Sequence, residues 1–398
     1  MGRSRSSLVA RPWLRVYLAL AVVVVSAGLV LWRWSAPGPL VEADTWWYAR
    51  GALIYSGSTH AGAEKQASVL ICVGRHSAAA ASNPACSSYH PISSPRYARI
   101  FTTRPLYPLL AAPLVGPLGG IAAALKAITM ACCVAAGAFV YAGVRRSGGG
   151  RMAGFVALVA LFVLPSGFWM TRLDAEAPML VGLLGVTWGL LSWRNGRPSG
   201  LAWATAGLAW TFGAKSANGV AVAVALLVAA GLAVAFDERA GRRRNLGVGA
   251  LGALGLLGWV VASAAFRLPG LGDTVQDLAT RHFTTPDIAN PWGYLLHNDL
   301  GLVRSQTLLV LRLGWPWLLT LAGLGTLIVQ LRWRAIPWLA VGATGVLAVV
   351  AHPLRSEYQR LVIPLWLPVA AGIALLIGSG LRRLTRGSRA AADETLHL

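Results

Sequence analysis

Apolar residues fill this chain in runs of roughly 17–25 positions, with no regular polar stripe along them, and short clusters of arginine separate the runs. A run of that length crosses about 30 Å of hydrocarbon as a helix, whereas a helix of a soluble protein shows polar residues on one face. Ten runs are therefore expected to be spans, near 14–34, 120–143, 153–170, 177–193, 199–214, 217–236, 246–266, 307–331, 335–351 and 361–380. The expected fold is all-α, a polytopic transmembrane bundle forming one domain over 1–398. Basic residues precede the first run but no small-residue cleavage site follows it, so it reads as a retained span and not a removed signal.

Composition agrees: hydrophobic residues make up 56% and charged residues 12%, about half the charged share of a soluble domain. The net charge of +21 would suggest nucleic acid in a soluble protein, but here the positions of the bases decide. Arginines gather at Arg3, Arg5, Arg11 and Arg15, at Arg145, Arg146 and Arg151, and at Arg194 and Arg197. Further clusters lie at Arg239 and Arg242 to Arg244, at Arg332 and Arg334, and at Arg382, Arg383, Arg386 and Arg389. Each cluster follows an even number of expected spans, the sign of loops retained on the cytoplasmic side. The charge thus records topology: a multi-pass protein of the plasma membrane with both termini cytoplasmic, in contact with membrane lipids and with no call for nucleic acid.

Two extracytoplasmic loops, 35–105 and 267–303, exceed the length of connectors, and a cytoplasmic tail covers 381–398. Long ordered loops commonly carry function. In the first, Trp46/Leu53 and Trp47/Ile54 would form one apolar face seven positions apart, which predicts an interfacial helix. The segment 106–119 is apolar but broken by prolines; it reads as re-entrant or surface-lying, with an eleventh span as the alternative. Cys72 and Cys86 lie in the first loop and could close a disulfide, worth about 3 kcal/mol in an oxidising compartment.

Ten of the fourteen acids fall on the expected outer side, as do six of the seven histidines, so polar chemistry is expected there. Three short segments concentrate it. Glu42 and Asp44 stand beside the aromatic run. Asp174 and Glu176 share a tight loop and would position an acceptor, balance Arg172, or help to hold a divalent cation, Mg or Mn, together with Asp44; two carboxylates alone offer fewer oxygens than a hard cation takes. His352, Arg355 and Arg360, with Lys215 and Arg104, suit a phosphate, because guanidinium donates parallel hydrogen bonds to phosphate oxygens. The chain has no Walker A loop, no G-x-S-x-G and no H-E-x-x-H.

An acidic motif in the first outer loop (Glu42-Ala43-Asp44), a proline-rich segment after it (Arg104-Pro105-Leu106-Tyr107-Pro108) and a later loop with paired acids (Asp174-Ala175-Glu176) resemble the GT-C superfamily of membrane glycosyltransferases. Trp47-Tyr48-Ala49-Arg50 and Arg104 to Pro113 are also similar to phrases in actinobacterial integral membrane proteins. The resemblance implies transfer of a sugar from a polyprenyl-phosphate-linked donor to a glycan, lipid or protein acceptor of the cell envelope, with inversion. It implies Asp44 as general base, Glu42, Asp174 and Glu176 positioning acceptor or metal, and Arg104, Lys215, His352, Arg355 and Arg360 binding the donor phosphate. The motif here is Glu-x-Asp where the family has Asp-x-Asp, which leaves metal dependence open. Two other classes fit the same composition. A flippase or transporter of a lipid-linked intermediate would use the same cations but should carry polar residues through the spans. A non-enzymatic assembly subunit would leave Asp44 without a special role.

Overall fold

In a computed structural model, residues 12–75, 86, 94–236 and 239–395 are described, and every regular element among them is helical. The helices around the first long loop are α1 (Pro12–Ser35), α2 (Ala43–Tyr55), α3 (His60–Arg75), α4 (Pro95–Thr102) and α5 (Leu106–Ala111). The central bundle follows with α6 (Ile121–Arg146), α7 (Arg151–Val163), α8 (Pro165–Met170), α9 (Glu176–Arg194), α10 (Ser199–Ala214), α11 (Ser216–Phe236) and α12 (Arg239–Phe266). The remainder is α13 (Leu271–Ala279), α14 (Pro291–Leu313), α15 (Trp315–Leu331), α16 (Ile336–Ala351), α17 (Tyr358–Leu361) and α18 (Trp366–Thr395).

Among the described residues six stretches are long and apolar enough to cross a bilayer: Trp13–Ser35, Ile121–Arg146, Ser216–Ala235, Arg242–Phe266, Pro316–Ala351 and Ile363–Leu381. The side chains that α1 and α12 leave exposed are largely apolar, among them Val24, Leu31, Leu254 and Val260, which suits contact with lipid tails. The protein is a helical membrane bundle. Its main core runs through α6, α7, α9 and α16, with Val140, Leu158, Leu183 and Trp338 all fully enclosed.

Several elements differ from the expected spans. The run 153–170 is two helices, because Pro165 lacks the N–H that would continue α7. That break frees the carbonyls of Phe162 and Val163, and Arg33 at the end of α1 donates to both, at 2.6–2.9 Å. The run 307–331 is interrupted at Gly314, whose φ of 56° suits only glycine comfortably, and Pro316 opens the next helix. The helix before that break, α14, begins at Pro291, inside the segment expected to be loop. The segment 106–119 forms the six-residue α5 and a single 3-10 turn, Ala112–Leu114. Finally, α2 is enclosed: Trp46, Tyr48, Ala49 and Leu53 are buried, and Trp47 and Ile54 pack against the same cluster with α3, α5 and α6.

The α9–α10 hairpin places two functional residues. The helices run antiparallel through a turn at Gly196 (φ 82°), so the start of α9 and the end of α10 meet at one end of the bundle. Small residues let their backbones touch. A Cβ on Gly207 would stand 2.6 Å from the Val186 nitrogen and 2.8 Å from the Gly182 oxygen, atoms that cannot swing away. Gly207→Ala should therefore lower stability by about 1–3 kcal/mol. Gly231→Ala, where the added carbon meets nothing within 4 Å, should not. Thermal melting of both variants in detergent makes the comparison.

Candidate active site at the Asp44 end of the bundle

Three chain segments bring carboxylates to one place. Asp44 lies in the first turn of α2, where Thr45 Oγ1 accepts the Glu42 N–H at 2.9 Å and fixes the helix start. Glu176 opens α9, and Asp174 just before it accepts the Ala175 N–H through Oδ1 at 2.7 Å. Carboxylates in a first helical turn are favoured by the exposed N–H groups there. The loop that carries Asp174 is tied to the first long loop by the Leu173 N–H, which donates to the Leu40 carbonyl at 2.9 Å. Trp34 Nε1 reinforces this by donating to the Thr171 carbonyl at 2.8 Å.

The cations come from elsewhere in the chain. Arg360, in the short helix α17, donates from Nε to Glu176 Oε1 and from Nη2 to Asp44 Oδ2, both at 2.6 Å. Its Nη2 also lies 2.9 Å from Asp174 Oδ2, although that oxygen accepts no aligned hydrogen bond. Lys215, just past the end of α10, donates to the same Glu176 Oε1 at 2.7 Å. Arg104 approaches Asp44 Oδ2 at 3.5 Å and donates to Tyr48 Oη at 3.2 Å. Three carboxylates and three cations thus interlock, and Asp174, Glu176 and Arg360 are each less than a tenth exposed.

Burial alone would raise the Asp44 carboxyl, but Arg360 and Arg104 outweigh it and hold it below the ordinary aspartate value. Burial pushes Asp174 well up, and its neighbours Glu176 and Asp44 add to this against the pull of Arg360. One carboxylate is therefore kept ionised and another is driven toward its neutral form, a divergence typical of sites that do acid–base work. For a divalent cation the arrangement fits poorly. Arg360 sits among the three carboxylates, and among the described residues no group of three or more His, Cys, Asp or Glu is placed to hold a metal.

Around this cluster the two long loops are joined. Arg96 in α4 grips Asp287 at 2.7 and 2.8 Å, and Asp273 at 2.7 Å. Beside it Tyr97 packs on His282 with ring centroids 4.6 Å apart. Tyr97 also meets Phe101, which stacks on Trp47 of α2 at 5.0 Å. His282 Nδ1 lies 3.1 Å from Asp277, and that hydrogen bond raises the imidazole above its ordinary 6.5. The order that this pair gives the loop is full below pH 6.5, where the ring is charged in any state, and is lost as pH rises through the raised value. Hydrogen exchange over 271–288 should therefore quicken as pH climbs above 6.5, beyond the ordinary effect of pH on exchange chemistry. In His282→Asn, whose side chain tolerates the left-handed backbone at that position (φ 66°), this extra acceleration should vanish.

Of the residues singled out in the sequence, Asp44, Asp174, Glu176, Arg104, Lys215 and Arg360 meet in one cluster. Glu42 stands beside it, paired with Arg172 at 3.6 Å. Arg355 is exposed, and no described contact joins it to the cluster. His352 caps the end of α16 with its Nδ1 buried and unbonded. Cys72 and Cys86 are joined as a disulfide, with Cα atoms 5.3 Å apart. Tyr48 was not singled out, yet it lies one helical turn after Asp44 on the same face of α2, a spacing that could have revealed it. The Arg172–Glu42 and His282–Asp277 pairs join residues whose partners no spacing in the sequence indicates. No protein-family model matches the chain, and no curated protein sequence is similar to it.

Proposed function

We propose that the protein is a membrane glycosyltransferase that moves a sugar from a polyprenyl-phosphate-linked donor to a cell-envelope acceptor, on the extracytoplasmic face of the plasma membrane. The observation that carries this reading is the convergence of Asp44 with Arg360, Arg104, Lys215 and Glu176 at one end of an apolar helical bundle. In this reading the chain crosses the bilayer ten times in a GT-C-like arrangement, both termini are cytoplasmic, and the cluster lies at headgroup depth. The donor's hydrocarbon chain then rests among the spans while its phosphate meets the arginines.

Asp44, ionised at neutral pH, accepts the proton of the acceptor hydroxyl. The acceptor oxygen forms a bond to the anomeric carbon as the bond from that carbon to the phosphate oxygen breaks. The electron pair departs with the phosphate, and the anomeric centre inverts. Arg360, Arg104 and Lys215 stabilise the charge that grows on the leaving phosphate. A phosphate diester leaving as a monoester needs no proton, so a second carboxylic acid is not required, in contrast to glycoside hydrolysis. Glu176 and Asp174 hold Arg360 and Lys215 in register and line the acceptor side.

The test uses purified full-length protein in lipid nanodiscs, with a panel of polyprenyl-phosphate-linked sugars and envelope extract as acceptor. Release of free polyprenyl phosphate that depends on acceptor supports the reading. No release with any sugar in the panel removes it.

A further inference from the structure

We infer that the donor's phosphate and the Asp44 carboxylate compete for Arg360, so that the donor binds before the acceptor and its arrival is what frees Asp44 to take a proton. The inference rests on the sugar-transfer reading for its consequence, but on the geometry of Arg360 for its cause. A guanidinium offers parallel N–H pairs along two edges, Nε/Nη2 and Nη1/Nη2, and a phosphate gripped by two bonds uses one of them. Both edges contain Nη2, which brings a different one of its two hydrogens to each. In this protein Nη2 donates to Asp44 at 2.6 Å and is crowded by Asp174 Oδ2 at 2.9 Å, while Nε is taken by Glu176. A phosphate oxygen brought to Nη2 on either edge therefore comes close to carboxylate oxygens of like charge, which favours the release of one of them.

Asp44 is the one placed to do so. Its side chain is 14% exposed, whereas those of Asp174 and Glu176 are 1% exposed. Glu176 is also held by Lys215, and Asp174 by the Ala175 backbone. Asp44 has, among the described residues, a second cation partner in Arg104, at the longer distance of 3.5 Å. While Arg360 and Arg104 face its Oδ2, the Asp44 carboxylate is a weaker base, because taking up a proton would give up that pairing. Exchange of carboxylate for phosphate thus couples donor binding to the strengthening of the base, and an acceptor that arrives first meets a weaker proton acceptor. Wasteful attack by water on a half-assembled site is suppressed by the same coupling.

The measurement is equilibrium binding of farnesyl phosphate to the full-length protein in nanodiscs, with inorganic phosphate and farnesol as parallel probes. Asp44→Asn should bind farnesyl phosphate about ten- to a hundredfold more tightly than the wild type, because the amide holds Arg360 only by a neutral hydrogen bond and does not repel the phosphate. Asp44→Ala should show the same direction and serves where the asparagine variant does not insert. Glu64→Gln, which removes a negative charge paired with Arg50 in another part of the first loop, should leave binding unchanged. In an Arg360→Gln background the gain from Asp44→Asn should disappear. An equal gain with inorganic phosphate assigns the competition to the phosphate group itself, and a gain confined to farnesyl phosphate assigns it to a lipid-borne phosphate; either upholds the exchange. Unchanged or weaker binding of farnesyl phosphate in both Asp44 variants overturns it, as does a gain that persists without Arg360 or appears with farnesol. If binding sharpens but no sugar transfer is ever detected, the enzyme reading falls and the competition stands; if transfer occurs with donor affinity indifferent to Asp44, the reverse holds.

Discussion

Arg360→Gln is expected to cost about 3–5 kcal/mol of stability and, under the proposed function, donor affinity as well. The guanidinium is the common partner of Asp44, Asp174 and Glu176, and its own side chain is 8% exposed. Glutamine leaves three enclosed carboxyl groups facing one another, with Lys215 on Glu176 and Arg104 on Asp44 for relief. An uncompensated buried charge costs far more than the intact pair contributes, which is why loss of one partner is so expensive. Arg360→Lys should recover only part of the loss, because a single ammonium cannot reach both Glu176 and Asp44 as Nε and Nη2 do. Thermal unfolding of both variants in nanodiscs ranks them; equal melting of wild type and Arg360→Gln would show that the cluster contributes nothing to the fold.

Under the proposed function, Asp44→Asn should lower the rate of sugar transfer by about a factor of 10²–10⁴, the usual contribution of a positioned general base. Asparagine keeps the shape of the side chain and can still accept a hydrogen bond from Arg360, so the helical content and the membrane insertion should be retained. What is lost is the ability to take up a proton. Single-turnover assays with saturating donor separate this chemical effect from any change in binding. A variant that transfers sugar at the wild-type rate would assign the base elsewhere and leave Asp44 as a partner of Arg360 alone.

Much of the helical framework was legible because bilayer-length apolar runs announce themselves. As helices, the runs 177–193 and 199–214 differ by a residue or less from α9 and α10, although neither is among the six stretches long and apolar enough to cross a bilayer. The breaks at Pro165 and Gly314 were harder to read, since hydropathy continues unbroken through both. Yet Gly314-Trp315-Pro316 is a legible stop-and-start signal, with glycine ending one helix and proline opening the next. The enclosure of α2 was not legible: an aromatic face serves equally well at a lipid interface and in a packed core, and only its neighbours decide. For the cluster, carboxylates and cations stood out because they are scarce in such a chain. Which cation pairs with which acid was out of reach, as Arg355 and Arg360 show. They lie five positions apart, but α17 starts at Tyr358, so Arg360 is turned inward while Arg355 stays in the exposed approach to it.

The closing contact of the cluster joins residues 316 positions apart, Asp44 near the start of the chain and Arg360 near its end. At ordinary ribosomal speeds of roughly 5–20 residues per second, Asp44 is made about a quarter of a minute to a minute before its main counter-ion exists. Through that interval the early carboxylates must stay hydrated or borrow provisional partners, so the site cannot close helix by helix during insertion. A ribosome that stops short of Tyr358 would leave a chain with most of its apolar helices in place and its acidic centre unsealed. Quality control could recognise such a product by that defect alone.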